Sequence, residues 1–131
     1  MRAALLLARA DLDTPEVRAA LHPASPEEVQ VWPAGPLMRR LWRKGIAATT
    51  LGSWVFIDPK VLRRDPQVVG KLIIHELVHV RQFSELGLVG FFRRYLSDYL
   101  RARLRGLDHR EAYLQIDLEV EARHQADLLT E

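Results

Sequence analysis

Residues Asp65-Pro66-Gln67-Val68-Val69-Gly70-Lys71-Leu72-Ile73-Ile74-His75-Glu76-Leu77-Val78-His79-Val80-Arg81-Gln82-Phe83-Ser84-Glu85-Leu86-Gly87 read as one helix. Asp65 is a good N-cap type, Pro66 suits the first turn, and Gly87 suits the position just beyond the last turn. Between them Val68, Val69, Leu72, Ile73, Leu77, Val80 and Phe83 recur at helical spacing, the mark of a helix buried along one side. His75, Glu76 and His79 interrupt this apolar run near its middle. Positions four apart on a helix lie one above the other, so the two imidazoles converge while Glu76 projects beside them. Burying two imidazoles and a carboxylate without partners is costly. A bound cation removes that cost.

The string His75-Glu76-Leu77-Val78-His79 is H-E-x-x-H, the spacing of a zinc site with an attached general base. Neutral imidazole binds zinc at about 2.0–2.1 Å, and a catalytic site takes three protein ligands and leaves a fourth position for water. Zinc lowers the pKa of that water to roughly 7, and a neighbouring carboxylate can take its proton during attack on a carbonyl. Glu76 has that position. The chain has no cysteine, which excludes disulfides and thiolate ligands, so a metal must be held by histidine and carboxylate. The third ligand has to approach from another element. Glu119, Glu121, His124 and His109 are the candidates, and helical geometry leaves the choice open, since Glu119 and Glu121 flank the apolar set Leu118, Ala122, Ala126 and Leu129.

Length bounds the architecture: 131 residues suffice for one domain with a real core and fall short of two ordinary ones. The expectation is a single domain over 1–131, with an N-terminal helical or strand segment at 1–45 and the hairpin, motif helix and ligand helix at 46–131. No signal segment or stretch of 18 apolar residues is present, so a cytoplasmic location is expected. Net charge is +2, with sixteen arginines. Their clusters at Arg93-Arg94 and at Arg101, Arg103 and Arg105 read as a solvated helix face, and with no nucleic-acid motif beside them no nucleic-acid partner is expected.

Residues 1–10 suit a short helix or strand, and Thr14-Pro15-Glu16 opens a helix to about Leu21. Val29 to Trp32 is strand-like, Pro33-Ala34-Gly35-Pro36 marks a turn, and Leu37 to Arg43 suits a helical turn or two ending at Gly45. Ile46–Leu51 and Ser53–Ile57 form a hairpin about Gly52, ended by Asp58-Pro59. Beyond Gly87, Phe91, Phe92, Tyr95, Leu96, Tyr99, Leu100 and Leu104 recur at three- and four-residue spacing in a second amphipathic helix closed by Gly106. That stripe reads as core, with contact between the 88–105 segment and a membrane interface as the lesser expectation. Asp108 and Glu111 form a capping-box-like pair, and a last helix covers Leu118 to Leu129.

With Val80-Arg81-Gln82 after the motif, Tyr113, and Glu119-Val120-Glu121-Ala122 downstream, the chain resembles the gluzincin zinc peptidases in a minimal bacterial form. It is similar to the minigluzincin type and to the core domain of phage-tail-like injection systems. The resemblance implies a zincin-like α+β domain, in which a short antiparallel sheet precedes the active-site helix and two or three further helices. It implies one zinc per chain held by His75, His79 and Glu121, because the third ligand in that family is commonly a glutamate followed by alanine. Glu76 would be general base, Tyr113 or His124 would stabilise the oxyanion, and Gln82 would support the ligands. Ala47, Thr49 and Leu51 would lie on the rim strand that holds an extended peptide or protein substrate. Arg81 departs from the long-form zincin pattern, which has an apolar residue there. The expected activity is hydrolysis of peptide bonds by metal-activated water; the alternative is a zinc-stabilised, catalytically weak or inactive interaction module.

Overall fold

The computed structural model describes residues 1–42 and 46–131. The elements run α1 (Ala3–Arg9), α2 (Pro15–Leu21), β1 (Gln30–Pro33), α3 (Pro36–Leu41), β2 (Ala48–Leu51), β3 (Trp54–Ile57), α4 (Pro59–Leu62), α5 (Pro66–Leu104), α6 (His109–Leu114) and α7 (Asp117–Leu129). Together they form a small α+β domain. The expected end of the α3 helix at Arg43 to Gly45 lies outside the described residues.

Local chemistry accounts for the boundaries. The Thr14 hydroxyl accepts from the Val17 amide, and Asp108 accepts from the Glu111 amide, so α2 and α6 both begin at side-chain caps. Pro15, Pro36, Pro59 and Pro66 each occupy a first turn, where a missing amide hydrogen costs nothing. Gly52, at φ 61°, turns the hairpin. The sheet is larger than the expected hairpin: β1 pairs in parallel with β3, giving the order β1-β3-β2. The segment before residue 46 is therefore built into the domain, which also seats α1 against α5.

Alternation along the strands sends Val31, Thr50, Val55 and Ile57 inward and leaves Trp32, Leu51 and Trp54 outward. The inward set meets Ile73, Ile74, Leu77 and Val78 of α5 together with Leu6, Leu7, Val17 and Leu21. Burial of this one apolar mass supplies the main driving force for folding. Gly70 lies where α5 crosses the end of α1 and the loop after it: a Cβ there would collide with Ala10 and Leu12.

Helix α5 breaks at Gly87, whose φ of 73° and ψ of 167° are open to glycine and strained for other residues. The expected stop is thus a sharp bend between two helical arms. Beyond it, Phe91 stacks on Phe83 with ring centroids 3.8 Å apart. Phe83, Phe91, Ile116 and Leu118 form a second apolar cluster, flanked by Tyr95, Tyr99 and Tyr113.

Candidate metal centre

His75, Glu76 and His79 lie mid-way along the first arm of α5, and α7 packs across that arm. The Nε2 atoms of His75 and His79 each stand 3.1 Å from the same oxygen, Oε1 of Glu119. The Glu119 carboxyl is held well below the usual carboxylate range: burial alone would raise it, and hydrogen bonds with His75 and His79 outweigh that effect. His79 moves the other way. Burial lowers its pKa, but the hydrogen bond with Glu119 and the charges of Glu119 and Glu76 raise it to about 9.

The acidic position differs from the one that the family resemblance implied. Glu121 does not join the two imidazoles; its Oε1 accepts from Gln82 Nε2 at 2.7 Å and pairs with Arg81 at 2.8 Å. The reason is the face of α7 that turns inward. Leu118, Glu119, Ala122 and Ala126 are buried, whereas Glu121 is about half exposed. Ala122 and Ala126 follow Glu119 by three and seven positions, so all three share one helix face. Weighing Ala126 more heavily in the sequence would have favoured Glu119.

Gln82 braces this arrangement, as expected of a residue one turn beyond His79. Its Oε1 stands 2.8 Å from His79 Nδ1, and its Nε2 donates to Leu118 O at 3.0 Å as well as to Glu121. With Nδ1–H donating to Gln82, a neutral His79 keeps its Nε2 lone pair free for a cation placed between it and Glu119. Arg81, the departure from the long-form pattern, has a structural use: it donates to Ala20 O and pairs with Glu85 and Glu121.

Three donors suit a cation. Their ligand atoms all lie within 4.8 Å of one another. Tetrahedral zinc with bonds near 2 Å needs ligand atoms roughly 3.3 Å apart, close to both imidazole–carboxylate separations. The donor set of two nitrogens and one carboxylate oxygen is also one that zinc accepts. No protein-family model, curated protein or solved structure matches this chain. The reading of the centre therefore rests on its own residues.

A cleft of about 190 Å³ opens beside the three donors, lined by Glu76 and His79, by β2, and by Phe91, Phe92 and Tyr95 of the second arm. Glu76 is buried, and its Oε2 accepts from the Thr50 hydroxyl at 2.6 Å. Tyr95 donates its phenol to Glu119 Oε2 at 2.8 Å. Neither Thr50 nor Tyr95 stands out in the sequence; Tyr95 reads only as one aromatic residue in an apolar stripe. Tyr113 also lines the cleft, and its phenol is pushed up by burial and by the charges of Glu119 and Glu76. His124 is exposed on α7, and His109 is bonded to Tyr99, so neither joins the centre.

Strand β2 is the sheet edge on the cleft side. Its parity differs from the expected rim strand. Ala47 O accepts from Asp58 N, and the two-residue turn closes the Leu51–Trp54 pair, so the main chains of Ala47, Thr49 and Leu51 bond inward to the β3 side. The groups left on the free edge are those of Ala48 and Thr50. Thr49 and Leu51 still border the cleft.

Proposed function

We propose that this chain is a zinc-dependent metallopeptidase of zincin-like fold, with His75, His79 and Glu119 as ligands. The observation that carries the reading is the convergence of two Nε2 atoms on one carboxylate oxygen, with a buried second carboxylate, Glu76, beside them. Zinc bound there would supply an acidic water and polarise a substrate carbonyl.

The chain's own residues provide the rest. Glu76, oriented by the Thr50 hydroxyl, takes a proton and returns it to the departing amine. The free edge of β2 holds an extended peptide through the main chains of Ala48 and Thr50. Tyr113, at the cleft wall, donates to the developing oxyanion. Phe91 and Phe92 form an apolar wall that limits water in the cleft.

The test is zinc analysis together with peptide cleavage for wild type and Glu76→Gln. About one zinc per chain in both, with cleavage abolished in the variant, supports the reading. A zinc-loaded wild type that cleaves no member of broad peptide libraries replaces it with a zinc-stabilised interaction module.

A further inference from the structure

The second arm of α5, residues 88–104, has more apolar surface than the core uses. Phe91 and Ala102 are buried and Tyr95 and Tyr99 partly so, yet Leu88, Phe92, Leu96, Leu100 and Leu104 remain exposed, Leu104 at 87%. These five follow one another at four-residue spacing, which makes a continuous row beside the buried face. Val89, 78% exposed, widens it. At about 100° per residue, Arg94, Arg101 and Arg105 fall on the next face round, Arg93 stands at the border of the apolar row beside Leu100 and Leu104, and Arg103 lies within it. The arm thus has a core face, an exposed apolar face and a cationic face.

Charge is distributed to match. Segment 88–105 carries five of the nineteen basic residues and one of the seventeen acidic ones, leaving the remaining chain net negative. That single acid, Asp98, is occupied by the Asp117 amide and Arg101. The outer sheet face adds Trp32 and Trp54, about half exposed. Leu51 of the sheet and Phe92 of the arm both line the cleft, so the apolar surfaces of sheet and arm meet at its mouth.

We infer that this surface binds an anionic lipid bilayer, with the 88–104 arm lying in the headgroup plane and its arginines against lipid phosphates. Leucines beside arginines on one helix, with tryptophan exposed nearby, are the composition of an interfacial helix. Among the described residues no helix is long and apolar enough to cross a membrane, which makes the attachment peripheral. A second copy is the poorer occupant, because a two-fold contact through this face would set two cationic surfaces together. The apolar side chains are also spread over several elements, which suits a deformable bilayer better than one projecting anchor of a folded partner. Bilayer binding does not depend on the peptidase reading. Its consequence for substrate does: the cleft mouth would face polypeptide segments emerging at a membrane surface.

Co-sedimentation of the zinc-loaded full chain with vesicles tests this. Binding is expected to vesicles of phosphatidylcholine with phosphatidylglycerol, about tenfold or more above binding to phosphatidylcholine alone, and to weaken in high salt. Arg93→Glu combined with Arg94→Glu, and separately Val89→Glu combined with Leu96→Glu, should each lower anionic-vesicle binding about tenfold or more while leaving the circular-dichroism spectrum and Tm unchanged, since all four positions are exposed. A wild type that stays in solution with anionic vesicles, or variants that sediment as wild type does, would overturn the inference. So would a dimer in solution that the Val89/Leu96 variant alone dissociates. Vesicle binding is read without peptide cleavage, so its failure leaves the metal centre standing.

Discussion

Tyr95 donates its phenol to Oε2 of Glu119 at 2.8 Å, across 24 residues of sequence and from the far arm of a broken helix. Had α5 run on without its break, Tyr95 would lie roughly 24 Å along the axis from His79. Gly87 turns the chain back, and the second arm covers the centre that the first arm displays. Oε1 of Glu119 is then shared by two imidazoles while Oε2 is fixed by the phenol. Tyr95→Phe keeps the ring and removes that donor. Zinc affinity should fall by about tenfold, measured by competition with a chelator of known affinity, with the fold intact. An affinity unchanged from wild type would show that Glu119 needs no such support.

Glu119→Ala should abolish zinc retention, whereas Glu121→Ala should keep it. Glu121 is bound to Gln82 and Arg81, so its loss should register as about 0.5–1.5 kcal/mol of stability. Elemental analysis of both purified variants decides between them. Zinc kept by Glu119→Ala and lost by Glu121→Ala would reassign the third ligand.

The raised pKa of His79 gives the centre two opposite pH dependences. Burial lowers it, but the pairing with Glu119 outweighs burial and brings it to about 9 from an ordinary 6.5. A group whose folded value is raised stabilises the fold fully below its unfolded value and loses that contribution as pH climbs through the folded value. The zinc-free protein should therefore lose thermal stability between about pH 6.5 and 9. Zinc binding must displace the proton, so apparent zinc affinity should rise over the same window, by up to about tenfold per unit. Melting curves and chelator titrations at several pH values would read both trends, and an affinity flat across the window would contradict the second.

Gly70→Ala tests the seating of α1. On an isolated helix the change would help by up to about 1 kcal/mol. Here the added methyl group meets Ala10 and Leu12, and accommodating it should cost about 1–3 kcal/mol instead. Chemical denaturation measures the sign. A stabilised variant would mean that the α1 contact yields easily.

Much of the secondary structure was legible one segment at a time. Pro15, Pro66, Gly52, Gly87 and Asp108 act through their own backbone preferences, which need no distant partner. The pairing of β1 with β3 was not legible, because Gln30 and Trp54 meet through a contact that no local pattern announces. Glu119 and Glu121 present the same limit within a single helix: both flank the apolar stripe, and only the angle at which α7 docks on α5 separates them. Thr50 and Tyr95 carried no signal, since one threonine in a strand and one tyrosine in an aromatic stripe are ordinary until their hydroxyls meet carboxylates.

The sequence by itself determined that His75, Glu76 and His79 share one helix, because a 3.6-residue apolar period running from Pro66 to Gly87 leaves little choice over that stretch. Tertiary structure alone decided which glutamate faces the histidines, which β2 backbone groups remain free, and that Tyr95 reaches the centre. Those outcomes depend on helix rotation, strand register and the direction taken after Gly87. Each is fixed by burial of apolar surface from several elements at once, and no single segment contains that information.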